Sequence, residues 1–403
     1  MMRVLALGGA GGMGGFAVNT LMKLNFCSEI IIADINGDLA EAVSNECGSG
    51  TSWRIVDVSD TVSLRTAMKG ADVIMNTVGP FYRYGVSILE TAIECGCHYF
   101  DINDDWEPTV NMLALHQKAQ NAGITAITGM GATPGISNML AVKAIRELDE
   151  ATEIFTGWNL DSAKPETIGP KPSAATIHGI HQLTGKICIF DNGRFQNVRP
   201  RQGVMLDYPG IGKNRAWTIG HPEAVTLPRY FPSLQRSINV FTATQFNILG
   251  IKTLAMLVDL KIISIETAAR IAEKANGLHN PENSSGRMLK KMIHQGFSDF
   301  PPLFVCVKGI KNNKPATSAC MILTAPDGGM AGATGVPLAV AISLLHENRI
   351  NRHGVFAPEG ILVPDAFFAK LAPLCEPPKA GVNDMILTTR SWEPVKVAET
   401  LLG

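Results

Sequence analysis

Six residues constrain this chain more than any others: Gly9-Ala10-Gly11-Gly12-Met13-Gly14, which follow the apolar run 4–7 and precede a stretch of helical patterning. The spacing is G-x-G-x-x-G between a strand and a helix, the context in which such a loop carries a mechanism. Gly9 permits the tight turn, Gly11 keeps the backbone bare where a pyrophosphate would approach, and Gly14 lets the helix lie against the strand. Gly12 and Met13 open the helix, whose first N–H groups and positive dipole end favour phosphate. A dinucleotide-binding domain is the expectation.

The next hundred residues extend it. Strands are expected at 4–7, 30–33, 53–58, 73–78, 98–101 and 124–127, with helices at 12–23, 85–94 and 108–121. Strands alternating with helices predict a doubly wound parallel sheet with right-handed crossovers. The second strand ends at Asp34, 20 residues beyond Gly14, where the acid that holds the ribose hydroxyls belongs. A carboxylate there repels a 2′-phosphate, and Ile35 and Asn36 supply no arginine for one. The reading therefore favours NAD over NADP; the bland alternative for Asp34 is capping of the next helix. Asp57 and Val58 follow the third strand, on the adenine side. Thr77, Val78, Gly79 and Pro80 follow the fourth, nearer the nicotinamide.

Length and composition set the frame. At 403 residues the chain needs two domains, or three. A net charge of −1 argues against a nucleic-acid partner. No basic leader with a cleavage site is seen, and no apolar run approaches the ~20 residues of a bilayer span, so no membrane partner is expected. The eight cysteines are scattered without a zinc or redox pattern, which suits reduced thiols in a cytoplasmic enzyme.

After Gly129 the texture changes. From 151 to 330 strands dominate, with hairpin signals at Asp191-Asn192-Gly193 and Asn312-Asn313; residues 199–237, rich in proline, glycine and basic residues, read as long irregular loops. Near 330 the texture shifts back: Thr334-Gly335-Val336-Pro337 is followed by an apolar helix at 338–345, then loops, a helix at 365–371 and a strand at 385–388. The expected fold class is α/β: a Rossmann domain (1–133), an α+β substrate and dimerisation domain (134–330), and a C-terminal segment (331–403) returning to the first domain.

Several stretches resemble the saccharopine dehydrogenase family: Asn76-Thr77-Val78-Gly79-Pro80-Phe81, Tyr84-Gly85, Cys97-His98-Tyr99-Phe100-Asp101, Ala132-Thr133-Pro134-Gly135-Ile136 with Asn138, and Ala333-Thr334-Gly335-Val336-Pro337 with Gly354-Val355 and Pro358-Glu359. The resemblance spans almost the whole chain, and Asp101 and the small-residue loop 133–135 look most like the lysine 6-dehydrogenase branch. Aspartate at 104, where saccharopine reductases tend to have tyrosine, departs from the pattern. The resemblance implies hydride transfer between a nicotinamide and the carbon of a C–N bond, and a homodimer formed through the middle domain.

Oxidising an amine requires the donor carbon close to the nicotinamide and a base that keeps the amine neutral. Asp101 ends the fifth strand, with Asp104 and Asp105 after it; carboxylates gathered there suit a substrate ammonium, or helix capping. His178 and His181 share a helix face, an acid/base pair or structural histidines. Arg229 suits a substrate carboxylate, and His221-Pro222-Glu223 is a further loop candidate. No metal site is expected, because no third ligand stands at a supporting spacing. The reading is an NAD(P)-dependent oxidoreductase acting on a small molecule, an amino acid or its imine. The alternatives are a polyamine, opine or lipid-like substrate, and a catalytically silent NAD(H)-binding sensor.

Overall fold

The computed structural model describes residues 1–162, 172, 174–278 and 300–393. The chain divides into two compact units, Met1–Val142 with Leu323–Leu387, and Lys143–Ile322 with Thr388–Gly403.

Unit 1 opens with β1 (Met2–Leu7), α1 (Gly12–Leu24), β2 (Cys27–Asp34), α2 (Gly37–Cys47), β3 (Thr51–Ile55), α3 (Thr61–Met68), β4 (Val73–Asn76), α4 (Phe81–Cys95), β5 (His98–Asp101), α5 (Trp106–Ala114), α6 (His116–Asn121), β6 (Thr125–Ile127) and α7 (Ile136–Arg146). Its sheet runs β6-β5-β4-β1-β2-β3, with a returning strand, Gly354–Phe356, outside β6. Every pairing is parallel. The chain leaves β1 in one direction, toward β2 and β3, and later returns to β1's other side as β4. The carboxyl ends of β1 and β4 thus flank the crevice where such sheets bind ligands.

Local chemistry explains the elements. Val4, Leu5, Ile30, Ile31, Val73 and Ile74 are fully buried, as strands covered on both faces must be. Helices α2 and α3, absent from the expected set, carry signed starts: the Asn36 side chain accepts from Leu39 N and the Asp60 side chain from Val62 N. The helix expected at 85–94 begins at Phe81, and Gly85 lies inside it because a side chain there would strike Met112. The single helix expected at 108–121 is two, separated at Leu115.

The helix expected to start at Leu338 begins at Gly329 and runs to His346, with Pro337 inside it. An interior proline costs ~3 kcal/mol. Burial of every residue from 334 to 345 outweighs that cost. By length and composition this helix could cross a membrane, yet 72% of it is buried within the protein.

Unit 2 is built on β7 (Glu150–Asn159), α8 (Ala174–Gln182), β8 (Ile187–Asp191), β9 (Arg194–Val198), β10 (Gly203–Tyr208), β11 (Gly212–Thr218), α9 (Glu223–Tyr230), β12 (Arg236–Thr242), α10 (Gln245–Asp259), α11 (Ile265–Leu278), β13 (Leu303–Lys311) and β14 (Lys314–Ile322). The order is β10-β11-β12-β7-β13-β14, closed by strand Ile386–Arg390, with the β8–β9 hairpin joined to β12. The central β12–β7 pair is parallel and its neighbours antiparallel. Both hairpin signals are two-residue turns in the left-handed region, Asn192-Gly193 and Asn312-Asn313.

Two expectations are corrected here. Residues 199–237 are a hairpin (β10–β11), a helix (α9) and the start of β12 rather than long irregular loops, since Leu206, Tyr208, Ala216 and Leu227 all find buried positions. The unit boundaries fall at 142/143, 322/323 and 387/388 rather than at 133/134 and 330/331. The start of α7 is tied into unit 1 by the Asn138–Glu359 hydrogen bond, and the strand ending at Arg390 lengthens the second sheet. Of the expected domains, residues 163–171, 173, 279–299 and 394–403 lie outside the described residues.

Candidate functional site

The glycine loop is a folded turn held by its own backbone. Gly8 N donates to Ala33 O (2.8 Å), Gly9 N to Ala6 O (3.1 Å), Gly11 N to Gly8 O (3.0 Å) and Gly15 N to Gly11 O (2.7 Å). The left-handed residue is Gly8 (φ +71°), one position before the glycine expected to make the turn. Gly9 is required for space instead, since a Cβ there would stand 2.8 Å from Ala6 O. A Cβ on Gly14 would fall well inside contact distance of Gly8 O, so the helix can approach the loop only through glycine. Around Gly11 the nearest atom to an added Cβ is Gly8 O at 3.3 Å, which leaves its outer side open. Helix α1 starts at Gly12 and Met13 with no side-chain cap and no acid in its first turn. Its first N–H groups remain available to an anion.

The next three strand ends complete this edge. Asp34 closes β2 partly exposed, and its Oδ1 accepts from Asn36 N (3.0 Å). Asn36, not Asp34, caps α2, which removes the capping explanation for Asp34. Beyond β3, Asp57 is exposed and accepts from Ser59 N (2.8 Å) and the Ser59 hydroxyl (2.7 Å), which hold its carboxyl below its ordinary range, while Val58 packs on the core. Beyond β4, Thr77 Oγ1 lies within hydrogen-bond distance of Leu7 O (3.0 Å) and Gly8 O (3.1 Å), tying the glycine loop to β4. Val78 N donates to Asn76 Oδ1 (3.0 Å), Gly79 faces open space, and Pro80 leads into α4. All twelve residues expected at the dinucleotide thus lie at or just beyond the carboxyl ends of β1 to β4 in unit 1.

The fifth strand end behaves differently. Asp101 is fully buried. Its Oδ1 accepts from Asn103 N (3.0 Å) and Gly129 N (2.7 Å), and its Oδ2 from the Tyr99 hydroxyl (2.9 Å). Tyr99 in turn accepts from Asn76 Nδ2 (2.9 Å). Burial pushes the Asp101 carboxyl up to about 6, against the pull of these donors. In this structure Asp101 has no exposed surface, and its oxygens hold the loops at Asn103 and Gly129. Asp104 is partly buried. Asp105 takes the position before α5, but its side chain does not cap that helix.

A second buried carboxylate escaped the residue-level reading. Glu359 Oε2 accepts from Asn138 Nδ2 (2.7 Å), whose Oδ1 accepts from Gly135 N (2.7 Å). The pair joins the loop after β6 to the turn after the returning strand. No periodicity marks residues 221 positions apart; only the resemblance named them.

The remaining candidates lie in unit 2. His178, on α8, is partly buried, its ring centroid 6.3 Å from that of His181. Arg229 occupies the last turn of α9 with its side chain exposed, in a helix and not the loop its sequence suggests. The best-built polar group here is His221 with Glu223. His221 Nδ1 lies 2.7 Å from Glu223 Oε2, both side chains are nearly or wholly buried, and the His221 ring meets Trp158 edge-on at 4.9 Å. Ala224 N donates to Asn239 Oδ1 (2.9 Å), which turns Asn239 Nδ2 toward Glu223 Oε2 (3.0 Å) and Thr156 Oγ1. Glu223 Oε2 thus faces both the His221 ring nitrogen and the Asn239 amide. The four expected catalytic residues are thus divided, Asp101 and Asp104 in unit 1, His178 and Arg229 in unit 2. Among the described residues no three His, Cys, Asp or Glu side chains gather as metal ligands.

Comparison with known proteins adds three findings. Residues 4–127 match the family described as the saccharopine dehydrogenase NADP binding domain. The carboxyaminopropylagmatine dehydrogenase of Synechocystis is 23% identical over 401 residues, covering 93% of this chain and 96% of that protein, and the carboxynorspermidine synthase of Vibrio alginolyticus is 22% identical over 45% of this chain and 46% of its own length. The solved saccharopine dehydrogenase (L-Glu forming) of Saccharomyces cerevisiae superposes with a TM-score of 0.59 over 97% of this chain and the whole of that one at 14% identity, a likeness of fold.

Proposed function

We propose that the chain is a nicotinamide-dependent oxidoreductase that transfers hydride to or from the carbon of a C–N bond, a reading supported by the match of residues 4–127 to the saccharopine dehydrogenase NADP binding domain. One observation carries the cofactor: the uncapped start of α1, opened by Gly11 and Gly14, stands beside strand ends that finish in Asp34 and Thr77. That arrangement binds a pyrophosphate by backbone N–H groups and a ribose by a carboxylate.

The substrate proposed is a small amine that also bears a carboxylate. A relative that matches 93% of the chain is named for a carboxylated aminopropyl compound, and the expectation of an amino acid or its imine has the same chemistry. Arg229, exposed in unit 2, is the proposed partner of the carboxylate. His178 and Asp104 are retained as candidates for handling the amine proton. Asp101 is assigned a positioning role, holding the loops at Asn103 and Gly129.

Of the two cofactors, NAD is proposed. Asp34 is partly exposed and followed by Ile35 and Asn36, which supply no positive charge to a 2′-phosphate, although the matching domain is named for NADP. We further propose a cytoplasmic homodimer. All eight cysteines are free thiols, and α10 in unit 2 exposes Phe246, Leu249 and Met256 along one helical stripe that continues to Leu260, a surface suited to a second copy.

The test is fluorescence titration with NADH and NADPH separately, followed by absorbance at 340 nm with a panel of amino acids, saccharopine and N-carboxyalkyl polyamines. NADH should bind the more tightly. Asp34→Asn should narrow the preference about tenfold, the value of ~1.4 kcal/mol. Tighter NADPH binding would overturn the NAD assignment and leave the class intact. Absence of binding by either would overturn the class.

A further inference from the structure

The long helix Gly329–His346 lies beside α1, and their contacts run in step. Gly12 stands opposite Ala331, with 3.8 Å between Ala331 Cβ and the position of a Gly12 Cβ. Further on, Gly335 sits against Met13, Phe16 and Ala17. Beyond the far end of α1, the rings of Phe26 and His346 stack at 5.0 Å. The two helices are therefore parallel, with both N-termini at the end that carries the glycine loop. Neither first turn contains an acidic residue, and neither has a side-chain cap. Parallel dipoles do not attract one another, so the pair is held by close packing.

The packing is backbone against backbone. A Cβ on Gly335 would fall well inside contact distance of the Met13 carbonyl oxygen, 3.0 Å from Ala17 N and 3.0 Å from Phe16 Cβ. Two of these three are main-chain atoms of α1, so no side-chain rotation relieves the clash. Met13 belongs to the first turn of α1, the turn whose N–H groups face the proposed pyrophosphate.

We propose that Gly335, some 320 residues from the glycine loop in sequence, is a positioning residue for dinucleotide binding: its missing side chain lets the return helix seat the first turn of α1 at the depth and angle the pyrophosphate requires. This rests on the dinucleotide reading above and deepens it. A methyl group at 335 must push the two backbones apart by some tenths of an ångström, and hydrogen bonds to a charged group lose strength steeply with such shifts.

The test uses the full chain and compares Gly335→Ala with Ala341→Gly. Ala341 lies fully buried on the same helix, and glycine there costs ~1 kcal/mol of helix stability. Melting, NADH titration and binding of adenosine, which lacks the pyrophosphate, are read for each. In Gly335→Ala the Kd for NADH should rise about tenfold, equivalent to ~1.4 kcal/mol, while adenosine binding stays unchanged. Ala341→Gly should melt lower and bind both ligands as the parent does. The proposal is overturned if folded Gly335→Ala binds NADH as the parent does, if adenosine weakens in proportion, or if Ala341→Gly loosens NADH equally. Should Gly335→Ala not fold, Ala331→Val adds bulk beside Gly12 at a partly exposed position and must show the same selective loss. A parent protein that binds no NADH would sink the cofactor reading itself, a separate result.

Discussion

The glycine-loop edge of unit 1 and the His221–Glu223 group of unit 2 are both built from polar residues at precise spacings, yet by opposite routes. In unit 1 each strand is followed by a helix that returns the chain to the same edge, so residues just after successive strands converge by topology alone. In unit 2 the group rests on β7 and β12, parallel neighbours whose paired residues Thr156 and Asn239 are 83 positions apart. The first site is opened by missing side chains and accepts something from outside. The second is closed, its buried His221, Glu223 and Asn239 side chains bonded to one another, to Thr156 and to Ala224 N. A site that waits for a ligand and a network that satisfies itself should respond differently to the same kind of damage.

The largest effect expected is at the open site. Gly14→Ala places a methyl group against Gly8 O and should weaken NADH binding at least a hundredfold, or ~3 kcal/mol. Titration of a folded variant that still binds NADH within tenfold of the parent would dissolve the contrast. At the closed site the cost should appear as stability. Glu223→Ala leaves His221 and Asn239 buried without their acceptor and should lower unfolding free energy by ~3 kcal/mol in urea, with NADH affinity within about twofold of the parent. A stable variant that has lost NADH would show the two regions to be coupled.

Asp101 sharpens the comparison from within unit 1, being a self-satisfied group at the edge where the open site lies. Its carboxyl is raised to about 6, above its unfolded value of ~3.9. The folded state therefore holds the proton more tightly, and the resulting stabilisation is complete below pH ~4 and lost as pH rises through about 6. Asp101→Asn should gain on the parent between pH 4 and 7 by on the order of 2 kcal/mol, a smaller effect than either substitution above. Urea unfolding of the two proteins at both pH values measures it, and parallel pH dependences would remove Asp101 from this role.

Some of this was determined by the sequence alone. The loop at residues 9–14, Asp34 at the end of an apolar run and the turns at Asn192-Gly193 and Asn312-Asn313 are local features, set by which residues tolerate left-handed backbone or lack a Cβ. Once strand and helix alternate, the sheet order follows from chain connectivity. Other features were decided only by the tertiary structure. Asp101 reads as a strand-end acid facing a crevice, and its burial is decided by Tyr99, Asn103 and Gly129, which close over it. Pro337 reads as a helix breaker, and sits inside a helix because burial on every side outweighs a missing hydrogen bond. Gly335 carries no signal of its own in the sequence, and is set by a contact with the Met13 carbonyl hundreds of residues away. Backbone preference acts over a few residues and can be read along the chain, whereas burial and close approach depend on what the fold brings alongside.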